Sequence, residues 1–160
     1  MPTLPDSVLC ARDLCAGYGG KPVLDGVSID VGAGEVVTVI GHNGAGKSTL
    51  LKTLFGLVPL RSGVVVVAAE PLVRLAPPLL LARGVVYVPQ GGQVFPDLTV
   101  REHLDLSQLV RPVRGDPNHE QVLAHFSLLR PLLNRRAGQL SGGQRQMLAL
   151  AVGFAARPKV

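Results

Sequence analysis

Apolar residues fall along this chain in short runs of two rhythms. Runs rich in Val or Ile and bounded by Gly, Pro or Asp occur at 8–14, 27–31, 36–40, 63–68 and 85–89, the pattern of β-strands. Two of them, 36–40 and 85–88, are too continuously apolar to keep a wet face, and they are expected as strands buried on both sides in a parallel sheet covered by helices. Helical spacing marks three other stretches. The first is 47–55, closed by Gly56; the second is 99–109, with Thr99 as N-cap and Glu102 three residues on; the third is 144–156, stopped by Pro158. Between 97 and 138 the chain turns to Leu, Arg, Pro and polar residues with no strand-like run. That segment is expected as a helical insertion with a loop at 111–118, inside a single α/β domain over 1–160.

Composition narrows the class. With 47% apolar residues in 160 the chain can bury a core, so disorder is excluded. No apolar run approaches the roughly 18 to 20 residues of a membrane span, and the N-terminus, with Asp6 and two prolines, does not read as a secretory signal. A cytoplasmic address is expected. Cys10 and Cys15 have no Cys or His neighbours at a zinc-like spacing and are expected as reduced, idle thiols. The net charge of +5 suits polyphosphate, an anionic membrane face or nucleic acid equally.

The stretch GHNGAGKST, 41–49, lies between an apolar run and a helical one. It satisfies G-x-x-x-x-G-K-[ST] through Gly41, Gly46, Lys47 and Ser48. Glycines let the backbone curl so that successive amides, from Asn43, Gly44 and Ala45 on to Thr49, point at phosphate oxygens, and the helix adds its positive end. Lys47 supplies a point charge to the terminal phosphates, and Ser48 offers a hard oxygen to Mg²⁺. A glycine turn that fits by chance is the alternative, and the strand-to-helix context weighs against it. His42 sits where no side chain is required and is expected to face solvent.

A phosphate loop leaves the reaction open, and LSGGQ at 140–144 narrows it. With both motifs the chain resembles the nucleotide-binding subunit of an ABC transporter, Walker A at 41–49 and the signature at 140–144. The resemblance implies a P-loop NTPase fold with a mainly parallel sheet core, an N-terminal antiparallel β region and a helical insertion. It implies ATP with Mg²⁺, Tyr18 of GYGG stacked on adenine, and Gln90 of VYVPQ joining Ser48 at the metal. A tyrosine in a glycine turn with no ligand remains the alternative for Tyr18. Ser141, Gly142, Gly143 and Gln144 are implied to close over ATP held by a second ATPase subunit, in a homo- or heterodimer; Ser141 as a plain helix cap has the same geometry.

The function so implied is coupling of ATP binding and hydrolysis to transport by membrane permease subunits. The chain would lie peripherally on the inner face of the cell membrane, with no nucleic-acid partner. The wording VPQGGQVFPDLTVREHL and RRAGQLSGGQRQMLALA resembles importers of branched-chain amino acids or urea. His103, where Asn is common, and Val152, where Arg is common, depart from that pattern without touching the phosphate chemistry.

The family continues beyond AARPKV into a strand carrying the Walker B Asp and the catalytic Glu, and later a switch His. None of His42, His103, His119 or His125 matches that histidine, and Asp97, Asp105 and Asp116 precede the signature. The expectation is therefore a fragment or truncated product, incomplete at its C-terminus, with no catalytic residue of its own. Loss of a base costs about 10²- to 10⁴-fold, so it is expected to be inactive or nearly so, with strands such as 36–40 lacking neighbours. Two other classes stay open: a nucleotide-binding module without hydrolysis, and a non-transport ABC ATPase of DNA repair or chromosome maintenance. The latter normally sets a long coiled coil between the motifs, and no sustained heptads occur here.

Overall fold

The computed structural model describes residues 7–72, 74–107 and 119–160. The expected loop at 111–118 and the end of the expected helix at 99–109 lie outside the described residues. The chain divides into two compact units, one running to Val85 and taking in Lys159–Val160, the other Val86–Pro158.

In the first unit, β1 (Ser7–Tyr18), β2 (Lys21–Gly32), β3 (Leu60–Val67) and β4 (Glu70–Pro71) form one antiparallel sheet in the order β2-β1-β3-β4. This is the antiparallel region the resemblance implied. Strand β1 outruns the expected 8–14 because it bends rather than stops: Asp13 takes φ 49° and the register slips on both sides of it. Opposite the bend, Gly63 has φ 103°, and a Cβ there would stand 2.6 Å from the carbonyl oxygens of Arg12 and Asp13. Only glycine can occupy that position. The sheet buries Leu9, Ala11, Leu14, Ala16, Leu24, Val65 and Val67, and α1 (Lys47–Leu54) covers them with Leu50 and Leu54. A short helix that hydrophobic spacing did not reveal, α2 (Pro77–Ala82), starts on Pro77 with its φ already helical and buries Leu80.

The two runs expected as doubly buried parallel strands behave differently. Neither 36–40 nor 85–88 is in a ladder with any described residue. Val36 and Ile40 are 91% and 88% exposed, whereas Val39 packs on the core and Val85 is buried in it. Apolar content alone does not make a strand, since a parallel ladder needs a neighbour from a distant part of the sequence. No described residue supplies one, so burial on both faces is corrected for 36–40. The α/β class stands.

The second unit is helical: α3 (Val100–Ser107), α4 (His119–His125), 3₁₀ turns at Ser127–Leu132 and Ala137–Gln139, and α5 (Gly142–Ala155). Its core gathers Val100, Leu104, Val122, Leu123, Leu129, Leu148 and Ala151. Gly153 lets α5 approach residue 88, where a Cβ would meet Val88 Cγ2 at 2.8 Å. His103 is buried, and its ring tautomer is set by its neighbours. Nδ1 lies 2.7 Å from the Thr99 carbonyl, which can only accept, and Nε2 lies 2.9 Å from the Phe95 amide, which can only donate. The ring is therefore neutral with its proton on Nδ1.

Candidate nucleotide-binding site

The phosphate loop leads directly into α1. Gly44 and Gly46 have φ 87° and 89°, and Gly46 is the N-cap of the helix. A Cβ on Gly46 would also meet Leu24 Cδ2 at 3.3 Å and Val23 Cγ1 at 3.4 Å, so conformation and packing both demand glycine. No side chain caps α1 and no acidic residue stands in its first turn. Ala45 spends its amide on His42 O at 3.2 Å. The first-turn amides of Lys47, Ser48 and Thr49 precede any intrahelical partner and remain available as donors. Such an end carries partial positive charge and suits an anion.

Lys47 is folded back over this loop. Its Nζ donates to Gly41 O at 2.7 Å and to His42 O at 2.8 Å. An ammonium has three protons, so two hold it in place and the third remains for a ligand. Ser48 is exposed, as a metal-binding hydroxyl must be, whereas Thr49 is buried and has only its amide to offer. Asn43, Gly44 and Ala45 are exposed on the loop. His42 faces solvent with Nδ1 2.9 Å from Asn43 O, as its position suggested.

Tyr18 ends β1 immediately before a two-residue turn, Gly19–Gly20, with φ 50° and 87°. Two positive φ values are the type I′ geometry that matches strand twist. The turn is tight: a Cβ on Gly17 would fall 2.0 Å from Lys21 O. From Lys21, paired with Tyr18, strand β2 needs two more residues to reach Val23 beneath Gly46, about 7 Å of strand. The hairpin thus brings Tyr18 and residues 41–49 into one unit. The tyrosine ring is 51% exposed.

The remaining expected residues lie in the second unit. Ser141 is the N-cap of α5: its Oγ accepts from the Gln144 amide at 3.3 Å, and Gln144 Oε1 accepts from the Ser141 amide at 2.9 Å. This reciprocal pair leaves the Ser141 hydroxyl proton and the amides of Gly142 and Gly143 outward. Both glycines are exposed, with open space where a Cβ would be. Gln90 is exposed in a turn. The turn lies against α5: Gly92 has φ 59°, and a Cβ there would stand 2.8 Å from Gln146 N. Ser48 and Gln90, expected to share Mg²⁺, belong to different units. Oxygen from Ser48 and amide oxygen from Gln90 are both suitable donors for that ion.

A family model for the ABC transporter matches residues 24–160. The chain is 38% identical over 148 residues to a probable branched-chain amino acid transport ATP-binding protein, LivF, of Archaeoglobus fulgidus, covering 92% of this chain and 63% of LivF. It is 39% identical over 144 residues to the high-affinity branched-chain amino acid transport ATP-binding protein BraG of Pseudomonas aeruginosa, covering 89% and 62%. The lipopolysaccharide export ATP-binding protein LptB of Escherichia coli is 32% identical over 161 residues, covering 96% and 65%. The chain therefore spans about two thirds or less of the length of these relatives. Among solved structures, an ATP-binding subunit of an ABC transporter superposes with a TM-score of 0.81 at 31% identity, over 95% of this chain and 63% of its own. An ATP-binding cassette of an ABC transporter gives 0.79 at 28%, over 95% and 66%.

Proposed function

The chain belongs to the ABC transporter family, and from that premise we propose that it binds MgATP as the nucleotide-binding subunit of a transporter. The observation that carries this is the uncapped start of α1, whose first residue, Lys47, has its ammonium already oriented by two loop carbonyls. Gly41, Asn43, Gly44, Ala45, Gly46, Lys47 and Thr49 hold the phosphates, Tyr18 supports the adenine, and Ser48 with Gln90 holds Mg²⁺. Mg²⁺ neutralises developing charge on the phosphates when bound.

Ser141, Gly142, Gly143 and Gln144 have the donors to cap the terminal phosphate of ATP on a second ATPase subunit, and the hydrolytic cycle of the whole protein belongs to that pair. Gln90 and the helical insertion at 97–138 face the permease subunits on the inner side of the membrane. Among the described residues no helix is long and apolar enough to cross it. The solute reading, branched-chain amino acids, is supported by what LivF and BraG are named for.

Titration calorimetry with MgATP tests the site. The wild-type chain is expected to bind, and Lys47→Ala to lose affinity by more than about tenfold, one lost charge-assisted contact in a partly dry site, with circular dichroism unchanged. Equal affinity in the two proteins would remove the assignment of the phosphate loop.

A further inference from the structure

The turn that presents Tyr18 is held weakly by its own hairpin. The β1–β2 register slips between Ala16 and Gly17, so only two pairs, Gly17↔Pro22 and Tyr18↔Lys21, carry the turn beyond the irregularity. Its two central residues are glycines, which have the most backbone freedom to lose. A Cβ on Gly19 or Gly20 would find no atom within 4 Å, so the turn projects into open space on that side. Yet the direction of an exposed Tyr18 ring depends on this turn.

One side chain from elsewhere in the sequence reaches it. Arg61 lies at the start of β3, which pairs with β1 through Ala16↔Leu60 and so begins beside the last residues before the turn. Its Nη1 donates to Gly20 O at 2.9 Å, across 41 residues of sequence. No carboxylate among the described residues forms an ion pair with Arg61. Its guanidinium is thus spent on the turn carbonyl and not on charge neutralisation.

We propose that Arg61 is a positioning residue for nucleotide binding: it clamps the Gly19–Gly20 turn so that Tyr18 is already aimed when the base arrives. This rests on the reading of Tyr18 as the adenine platform. Pre-ordering lowers the entropy lost on binding, and it acts only on ligands that carry a base. A purely structural arginine would affect base-bearing and base-free ligands alike.

The test titrates MgATP and magnesium tripolyphosphate against the 160-residue chain, Arg61→Ala, Arg61→Lys, Tyr18→Ala and the Tyr18→Ala/Arg61→Ala double variant. Arg61→Ala is expected to weaken MgATP binding about three- to tenfold, the range of one exposed charge-assisted hydrogen bond. Tripolyphosphate affinity should be unchanged, which also shows that the variant is folded. Arg61→Lys should recover most of the loss, and Arg61→Ala should cost nothing further once Tyr18 is gone. Equal losses for both ligands, or a loss that persists without Tyr18, overturns the clamp. If Tyr18→Ala weakens MgATP and Arg61→Ala does not, the clamp falls and the reading of Tyr18 survives. If Tyr18→Ala changes nothing, or the wild-type chain binds neither ligand, both fall together.

Discussion

The helix that follows the phosphate loop and the helix that carries the signature start in opposite ways. Helix α5 completes itself: Ser141 and Gln144 exchange hydrogen bonds, so its first turn is shaped with no help from a ligand. Helix α1 is left open, with a left-handed glycine as its N-cap, no capping side chain and no acidic residue in its first turn. An open end costs stability in the free protein and offers donors to an anion; a closed end is rigid and offers only the donors that the cap does not use. The contrast leaves the start of α1 with free donors in the first unit and the start of α5 already closed in the second.

The comparison breaks first at Gly46. Gly46→Ala adds a Cβ to a φ of 89° and presses it on Val23 and Leu24, so a loss of about 3 kcal/mol is expected from left-handed strain and local repacking. Urea denaturation should show it, and MgATP binding should vanish with it. Next in size, tripolyphosphate at a hundredfold excess over its Kd should stabilise the chain by about 2.7 kcal/mol, with the gain at least halved in Lys47→Ala at the same concentration. Slowed amide exchange confined to α1 would support the contrast, and equal slowing at α5 would contradict it. Ser141→Ala removes the cap of α5 and should cost about 1 kcal/mol, measured as a lower urea midpoint with tripolyphosphate affinity intact.

The smallest effect is sought at α3, which repeats the capping pair with a charged partner. Thr99 donates its amide and its hydroxyl to Glu102 Oε2, each at 2.7 Å, and accepts the Glu102 amide at 3.2 Å. The Thr99 amide first, then its hydroxyl, holds the Glu102 carboxyl below the ordinary carboxylate range against some desolvation. A depressed carboxyl contributes stability above its unfolded value and loses it as pH falls through the folded one. Glu102→Gln keeps a neutral cap, so it should be slightly less stable than wild type at pH 7, with the two converging at acid pH in melting experiments. A constant difference from pH 7 to pH 2 would show that charge is not what distinguishes this cap.

Much of this was legible in the residues. The starts of α1, α3 and α5 fall within two residues of their expected positions, because glycine, threonine and serine mark them chemically. Strands β1 to β3 were found from their Val and Ile content, but not their ends: β1 runs on to Tyr18 because the Asp13 bend lets one strand serve two registers. Helix α2 was missed, although Pro77 at its first position was a usable signal. The error at 36–40 is more instructive, because an apolar run states a need for burial without naming what meets it.

The sequence alone determined the local chemistry: which residues can curl into a phosphate loop and which can cap a helix. These depend on backbone conformations and donors within a few residues of each other. Tertiary structure alone decided that β2 passes from the Tyr18 turn to Gly46 and that Arg61 reaches Gly20. Each of those joins residues that only strand pairing or packing brings near, and hydrogen bonds over such separations leave no periodic trace in the chain.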